Sequence, residues 1–186
     1  MPSIAKTLLA CIALAASPAA AGGTITCTAK PGSSGLCDGV CTLSTTTPSK
    51  GGSFKISVNG TCSEPVSAPT FDLSIHACLG QGVSGPCLPL LSKQNLDACK
   101  DQDFKLPLKV GEFKTTAVTG GCTHAAGEPI MIESQALVGK GSPNGKLNAE
   151  VVAKDNAGNT LFTVDVEVHL NKGEDEEAMP VRQTAV

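Results

Sequence analysis

The 186-residue chain contains no tryptophan and no tyrosine, and five phenylalanines make up its whole aromatic content of 3%. It therefore has no aromatic platform on which nucleic-acid bases could stack. Basic residues are also few: the chain has 14 Lys and Arg and 17 Asp and Glu, which gives a net charge of −3. This balance argues against a protein that neutralises nucleic-acid phosphates, so nucleic acid is excluded as the expected partner.

No hydrophobic run reaches the roughly 20 residues that a transmembrane helix needs. The longest run, residues 8–16, follows Lys6 and precedes the small residues of 17–21. A positive charge, a short apolar segment and a small-residue cleavage region in this order are typical of a secretory signal peptide. We predict a signal peptide over residues 1–21 and a mature chain that begins near Gly22. The protein is then secreted, or delivered to a vacuolar or lysosomal lumen.

Catalytic motifs are equally scarce. Residues 80–85 match G-x-G-x-x-G, but segment 86–89 follows with a proline at each end, so no helix could present its N terminus to a phosphate. The sequence has no G-x-S-x-G elbow, no P-loop and no H-E-x-x-H motif, and its histidines, His76, His124 and His169, are scattered singly. We predict neither an enzyme nor a metal or cofactor site.

Cysteine, by contrast, is abundant, with nine residues in the chain. Removal of the signal peptide takes away Cys11 and leaves an even set, which suits four disulfides in an oxidising compartment. Each disulfide could contribute about 2–4 kcal/mol by restricting the unfolded chain. The residues alone leave the connectivity open. The cysteines predicted to be oxidised are Cys27, Cys37, Cys41, Cys62, Cys78, Cys87, Cys99 and Cys122.

Period-two alternation of apolar and polar residues recurs along the chain, whereas helical periodicity is almost absent. Residues 54–58 and 71–77 alternate in this way, which gives each predicted strand one apolar face. The clearest hairpin joins residues 147–153 to 162–168 through the turn sequence of 155–159.

Weaker strands are predicted over residues 104–109, 113–118 and 130–138, and one short helix over residues 90–99. Strands at this spacing, with Gly- and Pro-rich connections, predict an all-β, immunoglobulin-like antiparallel sandwich. After Leu170 the composition becomes acidic, with Glu174-Asp175-Glu176-Glu177. We therefore predict one domain over 22–172 and a disordered tail over 173–186.

A possible modification site lies at Asn59-Gly60-Thr61, which matches the N-glycosylation sequon. The Asn-Gly pair is also favoured in tight turns, which is the alternative explanation of these residues. Both interpretations place the segment on the surface. We predict a glycan on Asn59 in a eukaryotic secretory host.

Three features resemble the ML-type lipid-recognition domains, a family that includes Niemann-Pick type C sterol carriers and fungal phosphatidylglycerol/phosphatidylinositol transfer proteins. Residues 144–166 look like the last hairpin of the family, and Leu-Pro-Leu-Lys-Val-Gly-Glu-Phe at 106–113 looks like the start of its central strand. The close pair Cys37 and Cys41 is similar to the small N-terminal disulfide loop of the family. The resemblance covers most of residues 27–170 and implies a Cys37–Cys41 disulfide.

Two departures from the family pattern affect the other cysteines. Family members usually carry a cysteine where this chain has Thr163, bonded to the first cysteine, and another near Leu106. Both are missing here, so the resemblance implies that Cys27 and Cys99 pair differently. The possible disulfide partners that remain open for Cys27 and Cys99 are Cys62, Cys87 and Cys122.

The resemblance implies a monomeric, non-enzymatic carrier that holds a sterol or a phospholipid acyl chain between two sheets and contacts membranes transiently. An interior that lacks Trp and Tyr fits this function, because an under-filled apolar interior can hold a lipid. Alternation alone is equally typical of a solid core, so the alternative is a secreted interaction module, an adhesion domain or effector, without a cavity. The predicted lining residues are Phe54, Ile56, Val58, Phe71, Leu73, Ile75, Val151, Phe162, Val164 and Val166, with Phe71, Ile75, Val151 and Val164 at the centre.

Overall fold

The structure is a computed structural model that describes residues 23–33, 35–79 and 86–171. Over these residues the chain forms twelve β-strands and one 3-10 turn, Pro107–Lys109. The strands are β1 Thr24–Pro31, β2 Cys37–Leu43, β3 Ser53–Cys62, β4 Val66–Ser67, β5 Thr70–Leu79, β6 Cys87–Asp97, β7 Gln102–Lys105, β8 Gly111–Thr115, β9 Thr123–His124, β10 Pro129–Val138, β11 Gly145–Lys154 and β12 Thr160–Leu170. The predicted signal peptide, the 80–85 motif and the predicted acidic tail lie outside the described residues.

Ten strands form two five-stranded antiparallel sheets that pack face to face around one apolar core. The first sheet has the order β1-β12-β11-β5-β6 and the second has the order β2-β3-β10-β8-β7. Strands β4 and β9 pair separately. The predicted antiparallel sandwich is confirmed.

The predicted hairpin is formed by β11 and β12, which pair antiparallel with Val151 opposite Val164. Its turn closes because the Asp155 carboxylate accepts backbone N–H groups of Ala157 and Asn159, at 2.9 and 2.8 Å. Gly158 takes a φ of +86°, which glycine adopts without steric cost. Burial raises the pKa of Asp155, but the hydrogen bonds from Asn159 and its neighbours outweigh it and hold this pKa below its ordinary value.

The predicted helix over residues 90–99 is wrong, because most of this segment belongs to β6. This strand lies at the edge of the first sheet and pairs only with β5, through two register irregularities. Most of its side chains are exposed, so no alternation marks it in the sequence. Pro89 fits here because an edge strand does not need every N–H for the ladder.

The weaker predicted strands are present with different bounds. Strand β7 ends at Lys105, because Leu108 and Lys109 take positive φ values of 57° and turn the chain. Strand β8 ends at Thr115, and β10 spans Pro129–Val138.

All eight cysteines of the predicted mature chain form disulfides: Cys27–Cys41, Cys37–Cys62, Cys78–Cys87 and Cys99–Cys122. The Cys37–Cys41 pair implied by the resemblance is therefore wrong. Cys37 lies directly opposite Cys62 on the paired strands β2 and β3, and Cys41 faces the other sheet, where Cys27 lies. Cys99 pairs with Cys122, one of its open alternatives, whereas the alternatives for Cys27 are wrong because Cys27 pairs with Cys41.

Candidate functional site

Nine of the ten predicted lining residues are buried, and Val151 packs against them partly buried. They come from β3, β5, β11 and β12, so the fold brings segments from both halves of the chain into one interior. The alternation has identified the inward faces of these strands. Their contact with a lipid stays a prediction.

Two separate cavities lie between the sheets. The first, of about 50 Å³, reaches Leu106, Val110 and Val138 at one end of the sandwich, and we call it the loop-end cavity. The second, of about 30 Å³, lies deeper among Phe71, Val151 and other apolar residues, and we call it the central cavity. Four residues line both cavities: Ile56, Phe113, Ala149 and Val166. Of the predicted lining residues, only Leu73 lines neither cavity.

The cavities are small for a ligand site. Pockets that hold small molecules measure about 300–1,000 Å³, and a single water occupies roughly 30 Å³ of liquid. An acyl chain therefore fits only if the sheets move apart and join the two cavities.

The sheets lie closest along the edge formed by β1 and β2. At Gly39 in β2, an added Cβ would be 3.4 Å from the Ala29 Cβ and 3.7 Å from the Phe162 Cγ, so a single methyl group would already be in van der Waals contact with the other sheet. The Cys27–Cys41 disulfide joins β1 to β2 across the same edge. Widening of the interior is therefore restricted here.

At the opposite edge, between β6 and β7, the hydrogen bonds between the sheets that the described residues make lie towards one end. There the Gln102 Nε2 donates to the Asp97 carbonyl at 3.3 Å, and the Val118 N–H donates to the Ala98 carbonyl at 2.9 Å. At the other end, the hydrogen bonds of residues 106–110 run within the second sheet and its loops, for example from the Gly139 N–H to the Val110 carbonyl. Within the described ranges, the two sheets are thus less constrained beside the loop-end cavity than at the other end of this edge.

The sequence analysis missed a polar pair in the interior. Ser134 Oγ donates to Thr115 Oγ1 at 3.1 Å, and Thr115 Oγ1 donates to the Glu133 carbonyl at 3.3 Å. Both hydroxyl residues line the central cavity, and Thr115 is buried. A signal was present, because Ser134 occupies an inward position in the alternation of β10. The Ser134 oxygen still has acceptor capacity for a ligand hydroxyl.

Charged groups on the outer face of the first sheet are paired with each other. Lys30 Nζ lies 2.6 Å from Asp165 Oδ2, and Glu167 forms an ion pair with Lys146 and a hydrogen bond with the His169 ring. The hydrogen bond from Lys146 is the main cause that lowers the pKa of Glu167. A groove of about 460 Å³ lies above this face, but charged side chains line it, so it suits water better than an apolar chain. These carboxylates therefore act as surface ion-pair partners.

Within the described ranges, no cluster of His, Cys, Asp and Glu is arranged to hold a metal ion. The described part of the chain also has no helix long and apolar enough to cross a membrane.

The fold and this interior define a disulfide-linked β-sandwich domain with an apolar centre. The family model of the ML domain matches residues 23–170, well over half of the chain. The chain therefore belongs to the ML domain family, a family of lipid-binding domains, as the sequence resemblance indicated.

One solved structure that is similar to this chain is a Niemann-Pick type C2 protein from Japanese carpenter ant. It is 14% identical, with a TM-score of 0.43, and the match covers 80% of this chain and 92% of that chain. No curated protein matches the chain by sequence.

Proposed function

We propose that the protein binds a sterol or a phospholipid acyl chain between its two sheets and carries it through an aqueous compartment without reacting with it. The observation that supports this function is the pair of apolar cavities, which share four lining residues and lie between the sheets among nine of the ten predicted lining residues. Membership of a lipid-binding family supports the same assignment.

A carrier of this kind has a clear energetic purpose. Exposure of an acyl chain to water costs about 0.8 kcal/mol for each methylene, or roughly 12 kcal/mol for a chain of about fifteen methylenes. An apolar interior removes most of this cost. When the sheets separate, the ligand replaces the contacts that the two inner faces make with each other, so widening exchanges one set of dispersion contacts for another.

We also propose that the protein works as a monomer in an oxidising compartment, either outside the cell or in a vacuolar or lysosomal lumen. Its disulfides support the oxidising compartment, since reducing compartments keep thiols free. Intact mass of secreted material is expected to place the mature N terminus near Gly22, and thiol titration to find no free thiol. Residues 1–15 in the mature chain, or two free thiols, would contradict this proposal.

A glycan on Asn59 belongs to the same proposal. Asn59 is exposed in the middle of β3, opposite Val40 and Met131, so the turn interpretation of the Asn-Gly pair is wrong. A glycan there would extend from the outer face of the second sheet. Glycosidase treatment is expected to lower the mass of the native protein and leave that of Thr61→Ala unchanged. An unchanged mass of both would remove this part of the proposal.

The direct test of lipid carriage is whether the purified protein holds a lipid between its sheets. Native mass spectrometry of the purified protein is expected to show a co-purified lipid, and the delipidated protein to bind a fluorescent sterol or phospholipid. The small size of the cavities favours one alternative, an interaction module with a solid core. Failure to bind either probe at micromolar concentration would decide for that alternative.

A further inference from the structure

The turn that follows β7 exposes a large apolar side chain. Leu108 is 83% exposed, the highest value among the exposed large hydrophobic residues. Leu108 and Lys109 both have φ values of 57°, a conformation that non-glycine residues rarely adopt and that clusters at functional sites. The turn therefore projects a leucine into solvent at the end of the sandwich where the loop-end cavity lies.

Four lysines surround this turn. Lys109 follows Leu108 directly, and Lys105 ends the preceding strand. The 139–142 loop packs against the turn, with the Lys109 Cβ 3.7 Å from the position of a Cβ on Gly141. Lys140 in that loop lies over Gly51, next to Lys50, so three loops bring these charges together. We call Leu108 with Lys50, Lys105, Lys109 and Lys140 the basic tip.

The lysines of the basic tip differ from most others in the described chain. All four are exposed, and no ion pair joins any of them to a described carboxylate. Five of the other seven described lysines are paired with Asp or Glu. The nearest carboxylate by strand register is Glu112, opposite Lys105. Among the described residues, the basic tip thus keeps a positive charge without an ion-pair partner, on a protein whose net charge is negative.

We infer that the basic tip docks the protein onto an anionic lipid bilayer, with Leu108 inserted at the interface and the lysines against the headgroups. Charge complementarity selects this partner, because clustered lysines beside an exposed apolar side chain suit a negatively charged membrane surface. Leu106 and Val110 flank the turn and line the loop-end cavity, so docking places the cavity opening against the bilayer. The inference rests on the proposed lipid-carrier function, for which it names the surface of exchange.

The test measures co-sedimentation of the protein with phosphatidylcholine vesicles, with and without phosphatidylserine. Binding is expected only with phosphatidylserine and is expected to weaken at high salt. The double variant Lys109→Ala/Lys140→Ala is expected to lower the partition coefficient about 30-fold, and Leu108→Ser to lower it about tenfold. Equal binding to both vesicle types would overturn the inference.

Matched controls come from outside the basic tip. Lys93→Ala/Lys100→Ala removes the same charge from β6 and the loop that follows it, and Val40→Ser removes a 63% exposed valine from β2. Both controls are expected to bind vesicles as the unmodified protein does. If the control variants lost as much vesicle binding as the tip variants, the attraction to the vesicles would be nonspecific and the inference would be overturned.

Lipid binding is measured separately in the absence of vesicles, with a probe set made up of a fluorescent sterol and a fluorescent phospholipid. Each tip variant is expected to bind these probes like the unmodified protein, because its changes lie outside the cavities. Failure of every variant and of the unmodified protein to bind either probe would refute the proposed function, whereas vesicle binding would still report on the tip.

The acidic residues that follow Asn171 in the sequence are the competing occupant of the basic tip. A variant with Glu174, Asp175, Glu176 and Glu177 replaced by their amides tests this. If only this variant bound anionic vesicles, the tip would be the docking site of the C-terminal residues, and docking of the native protein onto membranes would be refuted.

Discussion

Ala149 is the position where a single substitution tests whether lipid binds between the sheets. Its side chain lines both the loop-end cavity of about 50 Å³ and the central cavity of about 30 Å³. It lies on β11 opposite Ile75 and Val166, on the inner face of the first sheet. The substitution Ala149→Leu adds three carbon atoms at the junction of the two cavities and introduces no charge.

The expected change in the free energy of unfolding is small. Three added carbons that fill void contribute about 0.8 kcal/mol each, or roughly 2.4 kcal/mol together. Overpacking costs about 1–3 kcal/mol, so the two effects offset each other to within about 1 kcal/mol. In the Ala149→Leu variant, however, an acyl chain has to displace the leucine side chain before it can bind. The overpacking cost of about 1–3 kcal/mol is therefore added to the free energy of lipid binding. We expect lipid affinity to fall about 5- to 150-fold.

The assay pairs lipid affinity with stability. Affinity is measured by titration of a fluorescent lipid into the delipidated protein, and stability by urea unfolding of the same preparation. Ala125→Leu, at an exposed position, is the matched control and is expected to change neither quantity. A folded Ala149→Leu protein that bound lipid with unchanged affinity would refute the reasoning, because the ligand site would then lie elsewhere.

Three further predictions concern stability, each measured by urea or thermal unfolding. Lys154 Nζ lies 2.5 Å from Asp72 Oδ2, and its hydrogen bond is the main cause that lowers the pKa of Asp72. Because the folded-state pKa lies below that of the unfolded chain, this stabilisation is present at neutral pH and is lost as the pH falls below about 5 towards the lowered pKa. Asp72→Asn is therefore expected to cost about 1 kcal/mol at pH 7 and much less in acid, and a pH-independent difference would contradict the ion-pair explanation. Replacement of both Cys27 and Cys41 by Ala, which opens a disulfide with a sequence separation of 14, is expected to cost about 3 kcal/mol, and an unchanged unfolding midpoint would mean that this disulfide does not restrict the unfolded chain. Gly39→Val adds atoms where the two sheets lie closest and is expected to cost about 1–3 kcal/mol, and no loss would show that this edge can open freely.

Much of the fold was predictable because its signals are local. Alternation identified the inward residues of β3 and β5 and both strands of the 145–170 hairpin, since the side chains of a strand point to its two faces in turn. Strand β6 carried no such signal, because it lies at the edge of its sheet and exposes most side chains on both faces. Its conformation depends on pairing with β5, the strand that precedes it in the chain, and not on an alternation within its own residues.

The candidate site was predictable only in part for the same reason. The apolar lining followed from alternation, but the Thr115–Ser134 hydroxyl pair depends on β8 and β10 lying side by side. The basic tip depends on the contact of three loops that lie far apart in the chain.

By itself, the sequence determined that this chain is a disulfide-linked β-sandwich, and it determined which side chains face inward. Composition, cysteine number and period-two alternation are properties of neighbouring residues, so they can be read without the fold. Only the tertiary structure decided that Cys41 bonds Cys27 across the sheets while Cys37 bonds its strand partner Cys62. It also decided the size of the space between the sheets, because disulfide partners and cavities both depend on distances between strands that the chain brings together from far apart.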